Sequence, residues 1–280
     1  MSNSRIIPEI YWVVGDQTDS GKTTIATALI RALNQIGIPT VGFKPVAAIR
    51  LQQQIDFIFE NYPKHNSRLF GSDSLELSKA SPLTDESLLE VVVPTHFLCY
   101  SNWLSTVLIR NGSGILNDAE FYKPSDTIDF YQREDIQKLV ARIHLPISKA
   151  KICNGINARN FHLLPGEKQA KAFNYLVGLN PNAVVCEGAG SQLPVWAGCP
   201  VANHLVLIAG GWINFFPGIN IKVQIDNSTA TLPNLETLAP LLKNAVNGCV
   251  SSPLELVAKE IRDEATENLV HKLLGRAEKR

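Results

Sequence analysis

Gly21, Lys22, Thr23 and Thr24 close the stretch VVGDQTDSGKTT at residues 13–24, and those residue types in that order suit the holding of phosphate. Backbone N–H groups at the start of a helix present partial positive charge to phosphate oxygens. Lys22 can reach the β and γ phosphates of a nucleotide, Thr23 can offer its hydroxyl to Mg²⁺, and Gly21 permits close backbone approach. The common form of such a loop has four residues between its two glycines. Here five lie between Gly15 and Gly21, namely Asp16, Gln17, Thr18, Asp19 and Ser20. Thr18 and Asp19 bring a hydroxyl and a carboxylate toward a metal or a substrate. Asp19 reads equally well as a solvated turn residue, because aspartate favours turns.

Three distant segments carry further chemistry. Lys44 lies in KPV at the end of an apolar run, where a parallel sheet places its active residues, although a surface lysine would look the same. Asp73 lies in GSDSLELSKA, and could instead cap a helix N-terminus. Glu187 lies in VVCEGAGS, at the tip of a buried strand and ahead of Gly188, Ala189 and Gly190. A carboxylate there is costly unless paired or metal-bound. Thr23, Asp73 and Glu187 together would give Mg²⁺ the hard oxygen ligands it prefers.

The elements that must position these residues begin with IYWVV at 10–14, a β-prone run that stops at Gly15. Ile25, Leu29, Ala32, Leu33 and Ile36 then fall at helical spacing, with Gly37 as a stop. IPTVGFKPV follows as a strand. Strand, glycine loop, helix and strand predict an α/β fold, with a mostly parallel sheet flanked by helices. Residues 50–90 read as largely helical. GEKQAKAFNYLVGLNP reads as a helix leading to a strand at 183–191, with further strands at HLVLIAGG (204–211) and INIKVQIDN (219–227). LPNLETLAPLLKNA and the segment from SPLELVAKE onward read as helical. No linker or repeat divides the chain, so a single domain over 1–280 is expected, with an insertion around 91–165.

Composition restricts the partners. The 280 residues balance 26 basic against 26 acidic side chains, which argues against nucleic acid or an anionic membrane and for small molecules. No apolar run approaches the roughly 20 residues of a membrane span, and the first residues lack the apolar block of a secretory signal. Five scattered cysteines without CxxC pairs fit reduced thiols in a cytoplasmic protein. His96, His144, His162 and His204 show no metal-ligand spacing. Lys149 and Lys151 could meet a substrate carboxylate, but read more simply as a solvated pair. The aromatics of GGWINFFPG read as packing against the sheet, with an exposed dimer contact as the other reading.

Taken together, GDQTDSGKT, VGFKPVA, the downstream Ser72-Asp73 and VVCEGAGS resemble the dethiobiotin synthetase family, a branch of the P-loop NTPases. That family carries a G-T-D-T-x-x-G-K-T loop of the same spacing, a GxKPVA strand end and a VEGAGG segment. The ATP-dependent amidoligases of cobalamin biosynthesis share its loop and fold. The resemblance implies an ATP- and Mg²⁺-dependent cyclo-ligase that converts 7,8-diaminononanoate and CO₂ to a cyclic urea and acts as a homodimer. It implies catalytic roles for Lys22, Lys44 and Thr18, with Lys44 neutralising a carbamate. Residues 15–24 and Glu187 to Gly190 would hold ATP, and Thr23, Asp73 and Glu187 would hold the metal. Asn227 lies where the family has an asparagine that reads adenine, and is also an ordinary turn residue.

The chain departs from the family in ways that bear on substrate. KPVASG becomes KPVAAIR, so Ala48 lacks a hydroxyl, and VEGAGG becomes CEGAGS. Asp73 and Glu187 stand 114 positions apart. After HLVLIAGG no crossover helix is evident. Two alternatives therefore stay open beside the cyclo-ligase. One is a related carboxylate- or carbamate-activating ligase with another substrate, and the other a P-loop ATPase that acts as a partner-binding switch.

Overall fold

A computed structural model describes residues 7–62, 69–101, 105–124, 134–143, 150–153, 166–196, 198–222, 234–245, 248–253 and 268–275. The chain opens with β1 (Glu9–Gly15), α1 (Lys22–Gln35) and β2 (Thr40–Phe43). Ile25, Leu29 and Leu33 recur on one face of α1 and are buried against the sheet. Each such side chain contributes roughly 1.5–3 kcal/mol. That packing holds α1, because no side chain caps its N-terminus at Gly21. The uncapped end is thereby available to an anion.

β8 (Ala183–Glu187), β9 (His204–Ala209), β10 (Trp212–Phe216) and β11 (Val250–Pro253) complete the first sheet, in the order β11-β10-β9-β1-β8-β2. β2, β8, β1 and β9 run parallel, whereas β10 runs antiparallel to both its neighbours, β9 and β11. β1 carries the fully buried Trp12 and lies between β8 and β9. α6 (Glu167–Val177) leads into β8, and α7 (Leu235–Ala245) precedes β11. This is the α/β architecture that the sequence pattern predicts, with a mostly parallel sheet flanked by helices.

Two expectations change. The run 219–227 is not a ladder strand where it is described: only Ile221 pairs, with Ala202, and residues 223–227 lie outside the described residues. The strand is WINFF instead. Gly210 and Gly211, at φ 55° and 78°, turn β9 directly into β10, with Ala209 paired to Trp212. Two consecutive residues of positive φ suit a tight hairpin. An antiparallel neighbour needs no crossover helix, which is why none follows β9. Ile213, Phe215 and Phe216 are buried, while Trp212 is half-exposed.

A second sheet stands beside the first. It joins β3 (Val46–Arg50), β4 (Thr95–Cys99), β5 (Thr106–Asn111), β6 (Glu120–Pro124) and β7 (Lys151–Cys153) in that order. Most of these strands fall within 91–165, but β3 begins directly after Lys44 and Pro45. α2 (Leu51–Asn61), α3 (Ser72–Lys79) and α4 (Leu89–Val92) connect β3 to β4, and α5 (Glu134–Ile143) lies between β6 and β7. Ile49, Ile58, Phe70, Leu98 and Leu108 form a separate core under this sheet. Among the described residues no helix is long and apolar enough to cross a membrane.

Arg110, fully buried on β5, fastens the second sheet to its surroundings. Its guanidinium donates to the carbonyls of Leu69 at 2.9 Å, Val93 at 2.7 Å and Pro94 at 3.1 Å, and to that of Gly112. It also donates to Nδ1 of His96 at 2.8 Å. Burial and this neighbouring charge hold His96 well below its usual pKa, so the ring is neutral. Removing the guanidinium strands several buried carbonyls at once. Arg110→Ala should destabilise the fold by about 3–5 kcal/mol, read as a lower urea midpoint. A loss below about 1 kcal/mol would contradict this account.

Candidate active site

The register of the first sheet sets the site. β2 pairs with β8 so that Phe43 faces Cys186, and the next residues on each strand are Lys44 and Glu187. Lys44 leaves the sheet there and donates its backbone N–H to Val92 O at 2.9 Å. On the other side of β8, Glu187 is in register with Val13, two residues before Gly15. Parallel strands thus deliver the loop of residues 15–24, Lys44 and Glu187 to one edge, the usual place for a ligand in such sheets.

Asp73 comes from the first turn of α3. It is not the helix cap, a position held by Gly71, and its carboxylate turns instead to Lys44. Lys44 Nζ lies 2.5 Å from Asp73 Oδ2 and 2.6 Å from Glu187 Oε1. Thr23 Oγ1 donates to Glu187 Oε1 at 2.7 Å and lies 3.3 Å from Asp73 Oδ1. Lys44 and Glu187 are buried. Burial pulls the Lys44 pKa down, but the two carboxylates outweigh it and the net shift is upward. Lys44 is therefore an ammonium at neutral pH. Burial raises the pKa of Glu187, Lys44 offsets part of that rise, and Asp73 adds to it.

The loop itself is closed on its lysine. Lys22 Nζ donates to Gln17 O at 2.5 Å and to Ser20 Oγ at 3.1 Å. Burial lowers its pKa, against the pull of Glu187. Gly21 has φ 87° at the helix cap, which a side chain would strain. Asp19 also adopts a positive φ, 61°, in the bend. Asp16 Oδ2 accepts from the Gly210 N–H at 3.1 Å, tying the loop to the β9–β10 turn.

A cavity of about 290 Å³ opens at this edge. Of the residues singled out from sequence, Thr18, Asp19, Gly21, Lys22, Thr23, Thr24, Lys44, Asp73, Glu187, Ala189 and Gly190 line it. Gly15, Asp16, Gln17, Ser20 and Gly188 do not line it, and Asp16 and Gln17 are exposed. Asn227 lies outside the described residues, as do Lys149, His144 and His162. Lys151 is away from the cavity and pairs with Glu120 at 2.6 Å. Ala47, Arg50, Gln53 and Gln54 also line the cavity and were not singled out as site residues. Arg50 was legible only as the end of KPVAAIR, and nothing in its spacing marked it. Gln53 and Gln54 carried no signal.

The donor set fits Mg²⁺. Asp73, Glu187 and Thr23 offer only oxygen, and Glu187 Oε2 is buried without a hydrogen-bond partner among the described residues. One ammonium faces two carboxylates, which leaves negative charge for a divalent ion. Mg²⁺ commonly takes one or two carboxylates and completes its shell with phosphate oxygens and water.

Comparison with known proteins finds similarity over short segments only. No protein-family model matches the chain. A 38-residue segment is 50% identical to the ATP-dependent dethiobiotin synthetase BioD 1 of Salmonella typhi, covering 14% of this chain and 17% of that protein. The ATP-dependent dethiobiotin synthetase BioD of Lysinibacillus sphaericus is 30% identical over 89 residues, 31% of this chain and 35% of that protein. The one from Vibrio cholerae is 34% identical over 88 residues, 30% of this chain and 33% of that protein. The matched segments thus span 17% to 35% of these relatives' lengths.

Lys44 should hold the two acids together. In Lys44→Met the buried Glu187 and the partly exposed Asp73 lose their cation, at a cost of about 3–5 kcal/mol near neutral pH. Glu187 then titrates higher still. A folded state that keeps a proton the unfolded chain releases loses stability as pH rises through and above the unfolded value. The deficit against wild type should therefore widen between pH 5 and pH 8 in urea denaturation. A constant or shrinking deficit would refute the assigned coupling.

Proposed function

We propose that the protein is an ATP- and Mg²⁺-dependent carbon–nitrogen ligase that closes a cyclic urea from a vicinal diamine and CO₂, the reaction that makes dethiobiotin from 7,8-diaminononanoate in biotin synthesis. The observation that carries this reading is the convergence of Lys22, Thr23, Lys44, Asp73 and Glu187 on one cavity. A phosphate loop alone implies only nucleotide binding. A buried ammonium held beside it by two carboxylates adds a place for a second, anionic reactant. The short matches to dethiobiotin synthetases support the same reading.

In this proposal one amine of the substrate captures CO₂ as a carbamate, which is anionic and a poor electrophile. A carbamate oxygen attacks the γ phosphorus of ATP, a new O–P bond forms, and ADP leaves. The second amine then attacks the carbamoyl carbon, loses its proton and expels phosphate, closing the ring. Lys44 would neutralise the carbamate and the mixed anhydride that replaces it. Thr18, whose hydroxyl lies close to Gly190, would face the substrate. Lys22 and the first-turn amides of α1 face the charge that spreads over phosphoryl oxygens in the transition state. Residues 15–24 and Glu187 to Gly190 would enclose ATP, and Thr23, Asp73 and Glu187 would hold Mg²⁺. The ion would add positive charge at the phosphate oxygens.

The direct test supplies Mg·ATP, bicarbonate and 7,8-diaminononanoate, and follows cyclic urea and released phosphate together. Stoichiometric formation of both is expected. Lys22→Ala should lower turnover by at least 10²-fold, in line with the loss of one charge-stabilising donor. Lys44→Ala should retain ATP binding while losing the use of carbamate. Phosphate release without urea from a chain that binds ATP would defeat the proposal.

A further inference from the structure

The cavity has a second charged end that phosphate binding leaves unused. β3 departs from Lys44 and Pro45 and runs along the wall, so Ala47, Ala48 and Arg50 line it, followed by Gln54 from the start of α2. Ala48 and Arg50 share a strand face about 7 Å apart. The wall therefore passes from an ammonium, over two small apolar side chains, to a guanidinium.

Arg50 is held in a way that a ligand can displace. Among the described residues its hydrogen bonds run through Nη1, at 3.4 Å to Asp19 Oδ2 and 3.0 Å to Gln53 Oε1. The Arg50 side chain is 18% exposed, but that of Asp19 is 80% exposed. An ion pair with so solvated a partner contributes little. Nε and Nη2 are left to present the planar fork that matches a carboxylate. Gln54 adds an independent sign. Its φ of −122° and ψ of 19° break the helical path of α2, and its Oε1 is buried without a partner among the described residues. A buried polar atom left unpaired in a cavity wall calls for a ligand donor.

We propose that Arg50 recognises a carboxylate on the amine substrate, whose aliphatic chain lies over Ala47 and Ala48 and whose reacting end meets Lys44. This rests on the acceptor-activating function proposed above. Phosphate is the poorer occupant, because Lys22 and the α1 terminus already serve it from the β1 side. The ligand class is thus an amine with a terminal carboxylate, and Arg50 sets specificity without touching the reacting atoms.

The test measures calorimetric binding of 7,8-diaminononanoate and of its primary amide, each with Mg²⁺ and a non-hydrolysable ATP analogue present. Wild type should bind the carboxylate on the order of tenfold to hundredfold more tightly than the amide, a range typical of one charged hydrogen-bonded contact. Arg50→Gln should abolish that preference while binding of the ATP analogue alone stays within about twofold. Asp19→Asn, which removes the competing carboxylate, should tighten binding of the charged acceptor. A preference that survives in Arg50→Gln overturns the inference and leaves the proposed reaction intact. An Arg50-dependent preference in a protein that forms no cyclic urea overturns the reaction alone. Binding of neither acceptor overturns both.

Discussion

Lys44 is the residue on which the rest of the site depends. It is buried, charged and shared by two acids that lie 29 and 143 positions away along the chain. A buried ammonium is tolerated only with such partners, and each buried acid needs the ammonium in turn. The cluster therefore ties α3, β2 and β8 together at the edge of the sheet where the phosphate loop ends. Thr23 joins it from α1, so the first turn of the loop helix is locked to the same charges.

The chain makes its decisive turn at Pro45. Proline has no N–H to give to a ladder, and the backbone after Phe43 leaves the first sheet. β3 then starts the second sheet, and α2 to α4 bring the chain back. Among the described residues three apolar clusters result, the largest at the first sheet and two at the second, while residues on or just after strands of both sheets line the cavity. The phosphate side belongs to the first sheet, and the wall from Ala47 to Arg50 belongs to the second. A substrate enclosed there would be positioned by both, which suits a reaction that must align two reactants.

Much of the first half was legible because local signals agreed. IYWVV, the glycine at 21 and the apolar spacing of α1 each specify their own conformation, and the structure follows them closely. Glu187 was legible for a different reason, since a carboxylate at the tip of an apolar strand has few stable settings. WINFF was harder to read. Its alternation is short, its glycine pair resembles a strand end, and a strand this close in sequence to β9 can join the sheet only as an antiparallel neighbour. The second sheet was obscured by short strands broken by polar turns, whose pairing partners are distant in sequence.

By itself the sequence determined the glycine loop at residues 15–24, the strand-loop-helix that carries it, and the residue types available for charge and metal. Those follow from local geometry and from the chemistry of side chains. Only the tertiary structure decided that Asp73 turns to Lys44 and not to its own helix terminus, because a buried ammonium needs a carboxylate partner. It also decided that Arg50 shares a cavity with Lys22. That contact depends on how two sheets meet, and no spacing along the chain encodes it.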